Sequence, residues 1–158
     1  MARVPYDNHK AITYAKTWCS KASNACGVHL EGDNRSDCAH FLAHCLAAGG
    51  ITIKDPSTGL CPHGLAVRNV DLVAGLKALG QAYENVFPIP LNDAIVGDVG
   101  FLKIERPRHA FMVCEPWNSY GNPLSTPKVY AHSSARCCET MDTSWRQWLS
   151  DAFRLEDG

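Results

Sequence analysis

The sequence predicts an α+β domain in which N-terminal helices pack on an antiparallel sheet. Three observations lead there. Apolar residues recur at helical spacing in three segments between residues 8 and 80. Short runs rich in Val, Phe and Tyr, parted by turn residues, follow between 96 and 132. No linker, repeat or low-complexity segment interrupts the chain, so residues 1–158 read as one domain.

The elements follow in order. Asp7 or Asn8 can cap a first helix running to about Lys21, with Ala11, Ile12, Ala15, Trp18, Cys19 and Ala22 as its apolar stripe. A Gly/Asn/Ser-rich loop spans Ser23 to Arg35. In the second helix Cys38, Phe41, Leu42, Cys45 and Leu46 form one apolar face, and Gly49-Gly50 stop it. Asp37 or Ser36 is its expected N-cap. After a loop containing Asp55-Pro56 and Cys61-Pro62-His63-Gly64, Asn69 can cap a third helix, Val70 to Leu79, ended by Gly80. Strands are expected from Gly97-Asp98 through Leu102, over His109–Cys114 and over Lys128–His132. Glu105–Arg108 reads as a turn, Asn118–Pro127 as a loop, and Trp145 with Trp148 as a short C-terminal helix or turn.

Composition excludes several classes of function. An apolar content of 46% with 20% charge fits an ordinary globular protein. A net charge of -1 without a basic stripe argues against nucleic acid or an anionic membrane as the partner. No apolar run is long enough for membrane insertion. The first residues lack the apolar core of a signal peptide, so the expectation is synthesis in the cytoplasm.

The chemistry centres on Cys38. A thiol in the first turn of a helix meets the positive end of the macrodipole, which stabilises the nucleophilic thiolate. A thiol nucleophile needs a base, and the base needs an orienting group. His109 starts one expected strand and His132 ends the next, so an antiparallel pairing makes them neighbours. In this reading Cys38 attacks a carbonyl, His109 holds and returns the proton, and His132 accepts from the far nitrogen of His109. The backbone N–H of Cys38 serves as oxyanion donor. Asp37, Tyr14 and Trp117 are the candidates to line the substrate site, though a cap role competes for Asp37 and packing for Tyr14 and Trp117.

Two other groups carry metal-ligand residue types. His40 and His44 stand at i, i+4, as zinc pairs do, but the glutamate of H-E-x-x-H is absent and both lie opposite the apolar face. Cys61, His63, Cys137 and Cys138 lack a C-x-x-C framework. The expectation is therefore no metal and no cofactor, with His40 and His44 as scaffold. The eight cysteines are expected to be mostly reduced, with one or two bridges in an oxidising setting. Cys19 reads as core and Cys26 as loop, and the vicinal pair Cys137-Cys138 does not bridge itself.

The run Asp37-Cys38-Ala39-His40-Phe41-Leu42-Ala43-His44-Cys45-Leu46-Ala47-Ala48-Gly49-Gly50 resembles the D-C-T-N-F-V-S-Q-C-L-x-A-G-G signature of the putative amidase domain family. Tyr6-Asp7 with Ala11-Ile12-Thr13-Tyr14-Ala15 is similar to that family's opening helix. Gly97-Asp98-Val99 followed by His109-Ala110-Phe111-Met112-Val113 resembles a segment shared with the NlpC/P60 and CHAP cysteine peptidases. Tyr130-Ala131-His132-Ser133 resembles the place of their third polar residue. The resemblance implies a papain-like fold and a Cys-His-His amidase cleaving peptidoglycan stem peptides at the cell wall, after export or delivery. It further implies an inhibitory immunity protein as partner where such a domain serves as an antibacterial effector. Other readings stay open: a protein-directed peptidase, deamidase or acyltransferase on the same fold, or a non-catalytic zinc- or partner-binding module.

Overall fold

The computed structural model describes residues 2–32, 35–102, 109–116, 127–132, 136–141 and 149–158. Helix α1 covers Asn8–Trp18. Asp7 is its N-cap, accepting from the Lys10 N–H at 3.1 Å. A two-stranded ribbon, β1 (Glu31–Gly32) and β2 (Arg35–Ser36), leads into α2 (Asp37–Gly49). Helix α3 covers Asn69–Ala82. The strands are β3 (Val86–Pro88), β4 (Val99–Leu102), β5 (Ala110–Glu115), β6 (Lys128–Ala131), β7 (Arg136–Thr140) and β8 (Leu149–Leu155). These six form one sheet in the order β3-β8-β4-β5-β6-β7, every neighbour antiparallel. The architecture is thus α+β, as expected. Among the described residues no helix is long and apolar enough to cross a membrane.

Alternation along β5 shows how the sheet divides the core. Ala110, Met112 and Cys114 join the cluster beneath the helices, while Phe111 and Val113 join a second cluster on the other face. Helix α2 lies at the centre of the first cluster. Its expected apolar face, Cys38, Phe41, Leu42, Cys45 and Leu46, is fully buried. Its opposite face is buried too: Ala39, His40 and Ala43 have no exposed surface and His44 has 3%. Burial of α2 thus extends beyond its apolar face to both sides as far as Leu46, while Ala48 near its end is exposed. A Schellman motif ends it, with Gly50 N–H donating to Ala47 C=O at 3.0 Å and Ile51 N–H to Leu46 C=O at 2.9 Å. Gly50 takes φ +109°, which a side chain would disfavour.

Several boundaries differ from expectation. Helix α1 stops at Trp18, short of Lys21. Helix α3 runs through Gly80, where a Cβ would stand 3.0 Å from the Val86 carbonyl oxygen, so glycine lets β3 approach closely. It buries Leu72 and Leu76 and leaves Val70 56% exposed. Strands β3, β7 and β8 were not expected. The turn Glu105–Arg108, the loop 118–126 and the segment with Trp145 and Trp148 lie outside the described residues.

Two disulfides tie this frame together. Cys19, at the end of α1, joins Cys137 in β7, and Cys114 in β5 joins Cys138 in β7. The vicinal pair does not bridge itself, as expected, and the two bridges fall within the one or two expected, leaving four cysteines outside them. Neighbours on a regular strand point to opposite faces, yet both bridges run toward the helix side. A bulge resolves this: Tyr130 pairs with Cys137 and Val129 with Glu139, leaving Cys138 as the extra residue at φ 61°.

Candidate active site

Cys38 is the second residue of α2, whose first-turn amides project from the helix N-terminus. Helix α2 packs on β5, and there the Ala110 N–H donates to Cys38 Sγ at 3.4 Å. A sulfur that accepts from a backbone amide at a helix N-terminus is placed to carry negative charge. His109 immediately precedes Ala110, and its carbonyl continues the ladder by accepting from Leu102 N–H at 3.0 Å. The fold therefore brings the leading end of β5 to the thiol. His109 is buried, and its pKa is lowered by that burial and by the Arg136 charge. It is thus neutral at physiological pH, the form in which a histidine can accept a proton.

His132 holds a different set of partners from those expected. Its Nε2 donates to the Trp18 carbonyl at 2.6 Å, and its Nδ1 meets Asp37 Oδ2 in a short hydrogen bond. Its ring stacks on Phe41 with centroids 4.1 Å apart. Both ring nitrogens are thereby engaged, so the hydrogen bond from His109 that the sequence reading assigned to His132 is replaced by one to Asp37. The cause is topological. His132 follows β6 on the helix side of the sheet, where the start of α2 and the end of α1 meet it.

Asp37 is the junction of this region rather than an exposed cap. Its carboxylate accepts from Leu30 N–H and Asn24 Nδ2, both at 3.2 Å, and from His132. His40 Nδ1 lies 3.3 Å from Oδ1, and His29 Nδ1 lies 3.3 Å from Oδ2. Burial opposes ionisation, but the hydrogen bonds from His132, His40 and Leu30 outweigh it and hold the carboxyl below the usual range. The side chain has no exposed surface. Tyr14 supports the same network. Its hydroxyl donates to Asn24 Oδ1 at 3.3 Å and accepts from Ala25 N–H at 3.1 Å, while its ring stacks on Trp18 and His44. Trp117, the third residue expected to line the site, lies outside the described residues.

A second cluster adjoins the first through His40. Cys26, His40, His44 and Cys61 place one ligand-type atom each within 4.8 Å of one another. His44 Nε2 lies 3.2 Å from His40 Nε2, 3.2 Å from Cys26 Sγ and 3.7 Å from Cys61 Sγ, and Cys26 Sγ lies 3.6 Å from His40 Nε2. Burial and the neighbouring His40 and His63 depress the His44 pKa to about 4. Burial raises that of the Cys26 thiol, with Cys61 adding to it. His40 and His44, read from the sequence as scaffold, thus meet two cysteines in one buried cluster. The i, i+4 spacing was the available signal; the two cysteines come from loops on either side, 14 residues before His40 and 17 after His44, which no short motif reveals.

A family model described as a putative amidase domain matches residues 5–59, a segment holding α1, the ribbon and α2 with Cys38. No curated protein and no solved structure matches the chain.

Proposed function

We propose that this chain hydrolyses amide bonds, with Cys38 as nucleophile, His109 as general acid and base, and the peptide part of bacterial peptidoglycan as substrate. The similarity to the amidase family suggests amide hydrolysis at the coarse level. The observation that carries the finer reading is the meeting of Cys38 Sγ with the Ala110 N–H, one residue from a buried neutral His109.

In this reading the Cys38 proton passes to His109 as sulfur attacks the carbonyl carbon. The oxyanion forms at the N-terminus of α2, where first-turn amides converge. The C–N bond then breaks, and His109 returns its proton to the leaving amine. Water, activated by His109, opens the thioester, giving a carboxylic acid and the free thiol again. His132 and Asp37 act as positioning residues, since they join the end of α1, β6 and the start of α2. Cys38 has no exposed surface, so substrate must open its own approach to sulfur. A papain-like relation to NlpC/P60 and CHAP peptidases rests on the order of the Cys38, His109 and His132 segments along the chain. Two disulfides favour action in an oxidising compartment, which a cell-wall enzyme reaches by export or delivery. An immunity protein is the partner expected if the role is antibacterial attack.

The test is digestion of purified peptidoglycan by wild type and by Cys38→Ala, read by mass spectrometry. Stem-peptide fragments with a new amine and a new carboxylate, absent with the variant, are expected. Equal fragment patterns from both proteins would sink the assignment of Cys38. No fragments from wild type would remove peptidoglycan as the substrate.

A further inference from the structure

We propose that Cys26, His40, His44 and Cys61 bind one zinc ion, in a structural site that fixes the start of α2 and the loops on either side of it. The argument begins with ligand spacing. Tetrahedral zinc with bonds of about 2.0 Å to nitrogen and about 2.3 Å to sulfur sets its ligand atoms roughly 3.3–3.8 Å apart. Four of the six separations among these atoms are 3.2, 3.2, 3.6 and 3.7 Å, and all six fall within 4.8 Å. The donor set, two thiols and two imidazoles, is the borderline-soft mixture that zinc takes in closed structural sites.

Hydrogen bonding alone accounts poorly for this packing. His44 Nε2 faces His40 Nε2, Cys26 Sγ and Cys61 Sγ at once, yet a ring nitrogen carries at most one hydrogen or one lone pair. A single ion at the centre satisfies all four atoms together. The outer side of the cluster is arranged to match. His40 turns Nε2 inward and Nδ1 toward Asp37 Oδ1 at 3.3 Å, the carboxylate contact that commonly fixes the tautomer of a metal-bound histidine. Asn24 Nδ2 steadies the same carboxylate oxygen, and the Tyr14 ring lies parallel to His44 at 5.9 Å.

The neighbouring group of His29, Asp37 and His132 shows what a site of another kind looks like. There Asp37 and His132 are joined directly by a hydrogen bond, and His132 gives its other ring nitrogen to the Trp18 carbonyl, so both of its nitrogens are satisfied without an ion. Four protein donors leave no open position for substrate at the cysteine–histidine cluster, which makes the ion structural. Its ligands lie on three separate segments: the loop after α1, helix α2 and the loop after residue 60. Binding therefore cross-links stretches that are far apart in the chain, and the ion also keeps two close thiols from oxidising to each other. The site is independent of the hydrolase reading, because Cys38 is not among its ligands.

The experiment uses the full chain, purified without chelator after growth with zinc. Elemental analysis should find one zinc per chain in wild type and in Cys38→Ala alike. Exchange for cobalt(II) should give visible bands of tetrahedral cobalt and near-ultraviolet thiolate charge transfer. Cys61→Ser should lose the metal or the thiolate bands, whereas His63→Ala, altering an exposed ring 5.6 Å from His44, should keep both. Zinc well below one per folded wild-type chain, after incubation with excess ion, overturns the proposal. So does a Cys26–Cys61 disulfide found by peptide mapping of the native protein. The cobalt spectrum of wild type decides the matter even if Cys61→Ser fails to fold. Absence of peptidoglycan cleavage by zinc-loaded wild type would count against the hydrolase reading alone.

Discussion

Removing the two disulfides separately should expose the entropy of the loops they close. The Cys19–Cys137 bridge has a sequence separation of 118 residues, and Cys114–Cys138 has one of 24. In the chain-entropy model these correspond to about 4.8 and about 3.4 kcal/mol. The shorter bridge short-cuts the longer loop, reducing its effective length to roughly 96 links and its contribution to about 4.7 kcal/mol. The difference of about 1.3 kcal/mol amounts to roughly 3–5 °C in Tm for a chain of this size. Cavity effects nearly cancel in the comparison, because each bridge joins one buried cysteine, Cys19 or Cys114, to a more exposed partner in β7. The perturbation is a pair of double variants, Cys19→Ala with Cys137→Ala and Cys114→Ala with Cys138→Ala, so that no orphan thiol remains. Thermal unfolding followed by circular dichroism gives the two Tm values, with non-reducing mass spectrometry confirming the surviving bridge. The first variant should melt about 10–20 °C below wild type and a few degrees below the second. An equal or larger loss from the short-loop variant would refute the entropic reasoning and point to strain or packing at the bulge.

Two further outcomes concern the site. Asp37→Asn keeps the shape of the buried carboxylate but removes its charge from Leu30 N–H, Asn24, His40 and His132. Breaking such a buried charged network should cost about 3–5 kcal/mol, visible as a Tm at least roughly 6 °C lower; an unchanged Tm would deny that Asp37 is the junction described. His109 has a lowered pKa, so above the ordinary histidine value of about 6.5 it is neutral in both folded and unfolded chains. As pH falls below about 6.5 the unfolded chain takes up that proton first, and stability declines toward the folded value. Cleavage rates should hold through the ordinary histidine value and fall only at more acid pH; an acid limb centred above that value would contradict His109 as the buried base.

Local pattern made the helices and three strands legible before any coordinates. Capping at Asp7, the i, i+3, i+4 stripe of α2 and the glycine stop at Gly50 are all short-range signals, and each reappears in the structure. Strands β3 and β8 were opaque because their pairing joins residues such as Val86 and Leu155, and no local pattern reports a partner so distant. The same holds at the site. Cys38 announces itself through helix position, but the partner of His132 depends on how β6 meets α1 and α2. The Cys26 and Cys61 thiols converge on His44 only through tertiary packing, and their spacing in sequence carries no recognisable motif.

The placing of β8 bears on how the chain is made. Strand β8 lies between β3 and β4, and among the described residues β3 has no other neighbour in the sheet. During synthesis, residues 86–88 must therefore wait for residues 149–155 before they can be zipped into place. The segment resembling the amidase family, residues 5–59, leaves the ribosome long before the sheet on which its central helix rests. Until then α2 exposes a face of Phe41, Leu42 and Leu46 to solvent or to a chaperone. A nascent chain stalled before β8 should remain open to protease, and the sheet beneath Cys38 is complete only after residues 149–155 have been translated.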